Sequence, residues 1–205
     1  MRAKLGSNPK RKNGKLTKRA LQAIETRNRI YQSAVSLMES NGFDNITIEH
    51  ISKDAAVSVG AFYHHFGSKN DILNEIFRRA DDYFKERVLD RLEGDTASEK
   101  IISYFEHFAQ FNISLGVDHL SALYKTQSTF FLNNRRLMVS ALRDIVAKGL
   151  EENQLQSELN PDEITEFLFA LARGLAYIWC LHKGEFPLEE KMHRYMICQV
   201  RALSK

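Results

Sequence analysis

Among the polar groups between Thr47 and Lys69 are the hydroxyls of Thr47 and Ser58, the phenol of Tyr63, the adjacent imidazoles of His64 and His65 and the ammonium of Lys69. They are not spaced as a catalytic set. No Ser/His/Asp or Cys/His signature, phosphate-binding glycine loop or metal-ligand pair stands out in the chain, so no enzyme, metal site or cofactor is expected. His107, His119, His182 and His193 are scattered singly, as surface or core histidines are. The set is suited to binding a polyanion. Hydroxyls and helix N-terminal amides meet phosphate oxygens, Lys69 adds charge, and Tyr63 and His64 reach toward backbone or base edges. Val59, Gly60 and Ala61 are small enough to lie near the floor of a groove, and Val59 can pack on a thymine methyl.

Two short helices and a tight turn must hold these residues. Thr47 can N-cap the first helix, with Glu49 in its first turn. Ile51 and Ala55 share one face of it. Ala56 and Val57 make the turn, Ser58 caps the second helix, and Phe62 and Phe66 anchor that helix inward. Ser68 and Asp71 then resemble a capping box at the start of another helix. Two small helices joined in this way form a helix-turn-helix over about 47–66, whose second helix fits a DNA major groove.

These residues resemble the TetR family of bacterial transcriptional repressors. Thr47, Ile51, Ala55, Val57, Ser58, Gly60, Tyr63, His65, Phe66, Ser68 and Lys69 fill the family's pattern, which covers about the first third of the chain. The resemblance implies that Thr47, Ser58, Tyr63, His64, His65 and Lys69 stand at positions that touch DNA. Two departures have consequences. Ala56 replaces the usual turn glycine, at a cost on the order of 1 kcal/mol if the position keeps a positive φ. Val59 stands where many members carry a polar base reader, and no Arg, Lys, Asn or Gln lies between Ser58 and His65. The usual bidentate readers of guanine and adenine are therefore missing from this helix.

The 205 residues are 43% hydrophobic and 27% charged, with only three prolines and ten glycines. Few breakers and no strand-like alternation predict an all-α fold of about nine helices. Charge is segregated. Residues 1–30 hold ten Lys or Arg against Glu25 alone, a charge of +9, while the remainder holds 19 basic and 25 acidic residues, a charge of −6. A basic flexible arm (1–20), a DNA-binding domain (21–84) and an effector-binding and dimerisation domain (85–205) are expected. No apolar stretch follows the basic start, so no signal peptide is expected. The longest apolar run, Phe167 to Cys180, is broken by Arg173 and is too short for a bilayer. Cys180 and Cys198 give no disulfide framework, and a cytoplasmic location follows.

The spacing predicts a first helix over Leu21–Ser40, ended by a left-handed Gly42 with Phe43 folded back on Met38. A fourth helix is expected over Ser68–Leu92, and Thr96 with Glu99 boxes the start of a fifth. Helices follow over about Asp118–Thr126 and Asn134–Glu152. Asn160-Pro161-Asp162-Glu163 opens one that runs to His182, and a last one covers Leu188–Leu203. Aromatic residues in the middle suggest an effector pocket at Phe105, Phe108, Tyr124, Phe131 and Trp179. Apolar and small residues on the last two helices suggest a dimer interface at Phe167, Leu171, Gly174, Leu175, Ile178, Tyr195 and Met196, with Ala176 beside them. The resemblance implies a homodimeric repressor that binds an operator in double-stranded DNA and is released by a small apolar or amphipathic effector. A filled core would instead fit a regulator or nucleoid-associated protein controlled by a partner protein.

Overall fold

The computed structural model describes residues 17–125 and 136–203. Most of the expected arm and one pocket candidate, Phe131, lie outside these residues. The chain divides into two compact units, one ending at Ile72 and the other starting at Leu73. The division falls inside the fourth helix, ahead of residue 84. Among the described residues there are nine α-helices and no strand.

The first unit begins with α1 (Lys18–Asn41), which starts as early as it does because Thr17 Oγ1 accepts the Ala20 N–H at 3.2 Å. Ile30, Ala34 and Met38 on its second half are buried, joined by Val35, while Leu37 is only half-buried. The expected ending of α1 forms in part. Gly42 takes a positive φ, +79°, and its N–H returns to Met38 O at 2.8 Å, but with ψ 151° the chain leaves the helix without a left-handed helical turn. Phe43 is drawn to Lys69, whose Nζ lies 4.4 Å from the ring centroid and donates to Phe43 O at 2.8 Å. Next come α2 (Ile48–Asp54) and α3 (Val59–His65), with Ile51, Ala55, Phe62 and Phe66 in the core.

The turn between α2 and α3 keeps its left-handed residue. Ala56 has φ +50°, and the Val57 N–H returns to Ser52 O at 2.9 Å. The methyl group of Ala56 is therefore strained where glycine is not. Ala56→Gly is expected to stabilise this unit by about 1 kcal/mol, offset in part by the greater freedom of glycine in the unfolded chain. Urea unfolding checks this, and a loss of stability would mean that the turn carries no strain.

The second unit takes over within α4 (Asn70–Tyr83). The expected single helix to Leu92 changes pitch instead, through a π-helical turn at Phe84–Val88 and a 3₁₀ turn at Leu89–Arg91. Ala80, Phe84 and Val88 recur every four residues and all are buried. A four-residue repeat drifts off a 3.6-residue turn, and a wider turn keeps it on the core. Then follow α5 (Ala97–Leu115), α6 (Val117–Lys125), α7 (Leu137–Glu151), α8 (Pro161–Leu181) and α9 (Leu188–Leu203). The expected capping box at Thr96 forms and a second is present at Asn160, while at the start of α4 the Asp71 carboxylate accepts the Gly67 N–H at 2.9 Å. Thr96 Oγ1 accepts from Glu99 N–H while Glu99 accepts from Thr96 N–H, and Asn160 and Glu163 do the same.

In this unit α5 packs on α7 and α9, and α8 packs on α6, α7 and α9. Phe84, Tyr104, Phe105 and Phe169 form the aromatic centre. The centroid separation is 4.8 Å for Phe84 and Tyr104 and 5.5 Å for Phe105 and Phe169. Helix α8 is long and apolar enough to cross a membrane by length and composition alone. Its inward side, with Ile164, Leu168, Ala172, Leu175 and Trp179, is core of the helical unit.

Candidate nucleic-acid interface and ligand cavity

Both helix caps form at the helix-turn-helix. Thr47 Oγ1 accepts the His50 N–H at 3.2 Å and Ser58 Oγ accepts the Ala61 N–H at 3.0 Å. The Ser58 hydroxyl keeps its own proton for a phosphate oxygen, whereas the Thr47 hydroxyl also bonds the Glu49 carboxylate and helps to hold that carboxyl below its usual range. Ser58, Val59, Gly60, Tyr63 and His64 are exposed, and Ala61 is half-buried. Val59 at 37% and Tyr63 at 54% are among the exposed large apolar side chains, so the outer face of α3 presents an isopropyl group and a phenol to solvent. A Cβ built on Gly60 meets nothing of its own chain closer than Ser58 Oγ at 3.8 Å. Internal packing therefore does not require glycine there.

Two of the expected contacts have other tasks in the structure. Lys69 donates to Phe43 O at 2.8 Å and to Ile46 O at 3.0 Å, using two of its three N–H groups. It fixes the α1–α2 connection that presents Thr47. His65 is half-buried. Burial, helped by the positive charges of His64 and Arg27, pushes its imidazole below the usual range, so near neutral pH it carries little charge for a phosphate. Arg27 was missed as a site residue. Its guanidinium donates to the His65 carbonyl and sits 4.1 Å from the Phe66 ring centroid, bracing the end of α3. The sequence signal was a cation on the α1 face that Ile30, Tyr31 and Ala34 continue.

In the second unit, a cavity of about 40 Å³ opens between α4, α5, α6, α8 and the start of α7. Phe108 and Tyr124 line it, as expected. Phe105 does not. It is fully buried against Tyr104 and Phe169. Trp179 does not either, since its indole N–H is tied to Phe186 O at 3.0 Å, beyond the end of α8. The polar groups of the wall were not anticipated: Asn112, Arg136 and Arg173. Arg136 bonds both oxygens of Asp81, at 3.2 and 3.3 Å, and Phe77 O at 3.1 Å. Tyr124 donates to Arg173 O at 3.1 Å, and burial pushes its phenol far up, so it stays protonated. A larger cleft of about 390 Å³ lies elsewhere in the unit. Asp90, Lys100, Asp144, Lys148 and Glu152 on its walls mix both signs of charge, which suits water better than an apolar ligand.

The expected dimer face is only partly outward. Phe167, Ile178 and Tyr195 are exposed at 44%, 47% and 42%. Gly174 is exposed with nothing within 4 Å of a built Cβ, and Leu171 is half-buried. Leu175 and Met196, expected on that face, are instead buried inside the chain. Ala176 is buried as well. Tyr177 and Leu181 take their place on the outer stripe. Because α8 is apolar nearly all round, its periodicity could not say which side the core would claim.

A family model described as bacterial regulatory proteins, tetR family, matches residues 30–76. The chain is 28% identical over 161 residues to the HTH-type transcriptional regulator UidR of Escherichia coli, covering 76% of this chain and 80% of that protein. It is 23% identical over 166 residues to the fatty acid metabolism regulator protein of Bacillus subtilis, covering 78% and 86%. Among solved structures, its fold is similar to that of the transcriptional regulator FadR from Bacillus subtilis in complex with stearoyl-CoA. The TM-score is 0.69 at 19% identity, over 86% of this chain and 98% of that one. It is also similar to NalD, the secondary repressor of the MexAB-OprM multidrug efflux pump in Pseudomonas aeruginosa. There the TM-score is 0.66 at 20% identity, over 90% and 98%.

Proposed function

We propose that this chain, a DNA-binding transcriptional regulator of the tetR family of bacterial regulatory proteins, is a cytoplasmic repressor, working as a homodimer, that leaves its operator when a small apolar or amphipathic effector enters the second unit. The outer stripe of α8 and α9 is the proposed dimer contact. It pairs two α3 helices for two half-sites of a pseudo-palindrome. An apolar stripe exposed on a single chain is the usual mark of an interaction surface. The cavity beside α4 supports the effector reading, as does the complex of the Bacillus subtilis regulator with stearoyl-CoA. Helix α4 continues from the first unit into the second, so a ligand that binds better when α4 has moved weakens DNA binding by that difference.

The observation that carries the DNA reading is the outer face of α3. Val59, Gly60, Tyr63 and His64 face outward there, and no side chain on this face makes a bidentate bond to guanine or adenine. Thr47, Ser58 and Tyr63 position the helix on phosphates. Val59, with Ala61, reads thymine methyls, and DNA shape supplies the remainder. Selection of bound sites from random DNA is expected to return an A·T-leaning half-site. Thymine-to-uracil substitution at one or two positions in it should cost about 1 kcal/mol each. Val59→Ala should remove that sensitivity at one position. If uracil has no effect anywhere in the half-site, methyl reading by α3 is wrong.

A further inference from the structure

The ligand cavity is apolar but not neutral. Its described wall has nine apolar side chains, one amide, one phenol and two guanidiniums, with no carboxylate among them. Arg173 reaches it from α8, its guanidinium 4.8 Å from the Phe169 ring centroid. Burial pulls Arg173 below the usual arginine range, which means that its surroundings stabilise the charge less well than water does. Arg136 precedes the first residue of α7 and bridges to α4 through Asp81 and Phe77 O. The same Asp81 carboxylate also accepts the Met138 N–H at 3.2 Å. One carboxylate thus joins α4 to the start of α7.

We propose that the effector is an amphipath with an anionic head, that Arg173 receives the head, and that the head competes with Asp81 for Arg136 and so loosens α4 from α7. This rests on the effector reading above. A carboxylate or phosphate in a poorly hydrated wall makes strong charge-assisted bonds to a guanidinium, and a carboxylate can copy the two-oxygen contact that Asp81 makes now. A neutral head makes no charge-assisted bond to either guanidinium, and a cationic head is repelled. The cavity volume of about 40 Å³ holds little more than a few water-sized groups. An alkyl or aryl body therefore fits only once α4 has given way. The ligand then prefers the loosened state, which is the condition for it to shift the equilibrium.

The test is titration calorimetry of the full chain with decanoate, decan-1-ol and decyltrimethylammonium below their micellar concentrations, with decanoyl-CoA as a second source of the negative head. Decanoate or decanoyl-CoA is expected to bind at least tenfold tighter than decanol, and decyltrimethylammonium is expected not to bind. In Arg173→Gln the ratio of anion to alcohol affinity should fall to near one, and Arg173→Lys should retain part of it. The wild-type ligand series stands on its own if a variant fails to fold. Anion binding should lower affinity for the selected DNA site. Decanol binding as tightly as both anions overturns the anionic head and leaves the effector reading in place. Binding by none of the four, with no rise in melting temperature, overturns both.

Discussion

Gly174→Glu is expected to give a folded monomer that no longer holds its operator, whereas Ala176→Glu is expected to unfold the second unit. The two positions are two residues apart on α8 and face opposite ways. Around Gly174 there is open space, and the neighbouring outer positions are Leu171, Tyr177 and Ile178. A glutamate there remains solvated in the single chain, and replacing an interior helical glycine even favours the helix by about 0.5–1 kcal/mol. In the proposed dimer the same carboxylate would be buried without a partner. A penalty of about 4 kcal/mol raises the dissociation constant roughly a thousandfold. Monomers engage one half-site at a time and lose the gain of two linked contacts. Ala176 has no exposed surface, so its carboxylate meets the core whether or not a partner is present. Light scattering and thermal melts of the two variants separate the outcomes. A Gly174→Glu dimer of normal stability would move the interface to another face.

The helix starts were the most legible part of the sequence because a cap is a local device. Thr47, Ser58, Thr96 and Asn160 each accept the N–H that their position predicts, and no distant residue is needed to arrange it. The exposed set on α3 was legible for the same reason, since Phe62 and Phe66 fix one side of a short helix and leave the other out. Assignments that depend on what lies across the core were harder. The aromatic middle contained both cavity wall (Phe108, Tyr124) and solid core (Phe105), and only tertiary packing separates them. Leu175 and Met196 were placed on the wrong side of their helices because apolar residues occur on both sides. The pitch change at Phe84 was hidden because a four-residue apolar repeat fits an α-helix nearly as well as a wider turn. Lys69 reads from sequence as a charge for DNA and Arg27 as one cation among ten near the start of the chain, yet each donates to a backbone carbonyl beside the helix-turn-helix. Sequence shows the charge of such a residue but not the carbonyl that receives it.

Removing Asp81 is expected to cost more than any other single change considered at the cavity. Its carboxylate takes two bonds from Arg136, whose side chain is 4% exposed, and one from Met138 N–H. Asp81→Ala leaves a buried guanidinium without its carboxylate, with an expected loss of about 3 kcal/mol in unfolding free energy. Asp81 itself is 24% exposed, so solvent lowers the cost of losing the other partner. Arg136→Met fills similar volume with an apolar chain and is expected to cost about 1–2 kcal/mol. In the double variant no buried charge is left alone. Its loss should lie close to that of Arg136→Met, well short of the sum of the two single losses, and a double-mutant cycle measures the difference as coupling. On the effector reading proposed above, the pair would also bear on DNA binding, because Asp81 lies on α4. Asp81→Ala should therefore imitate the effector, lowering affinity for the operator even where the protein is still folded. If the two single losses simply add, and operator affinity is unchanged in folded Asp81→Ala, the pair neither stabilises the second unit as a unit nor transmits anything through α4.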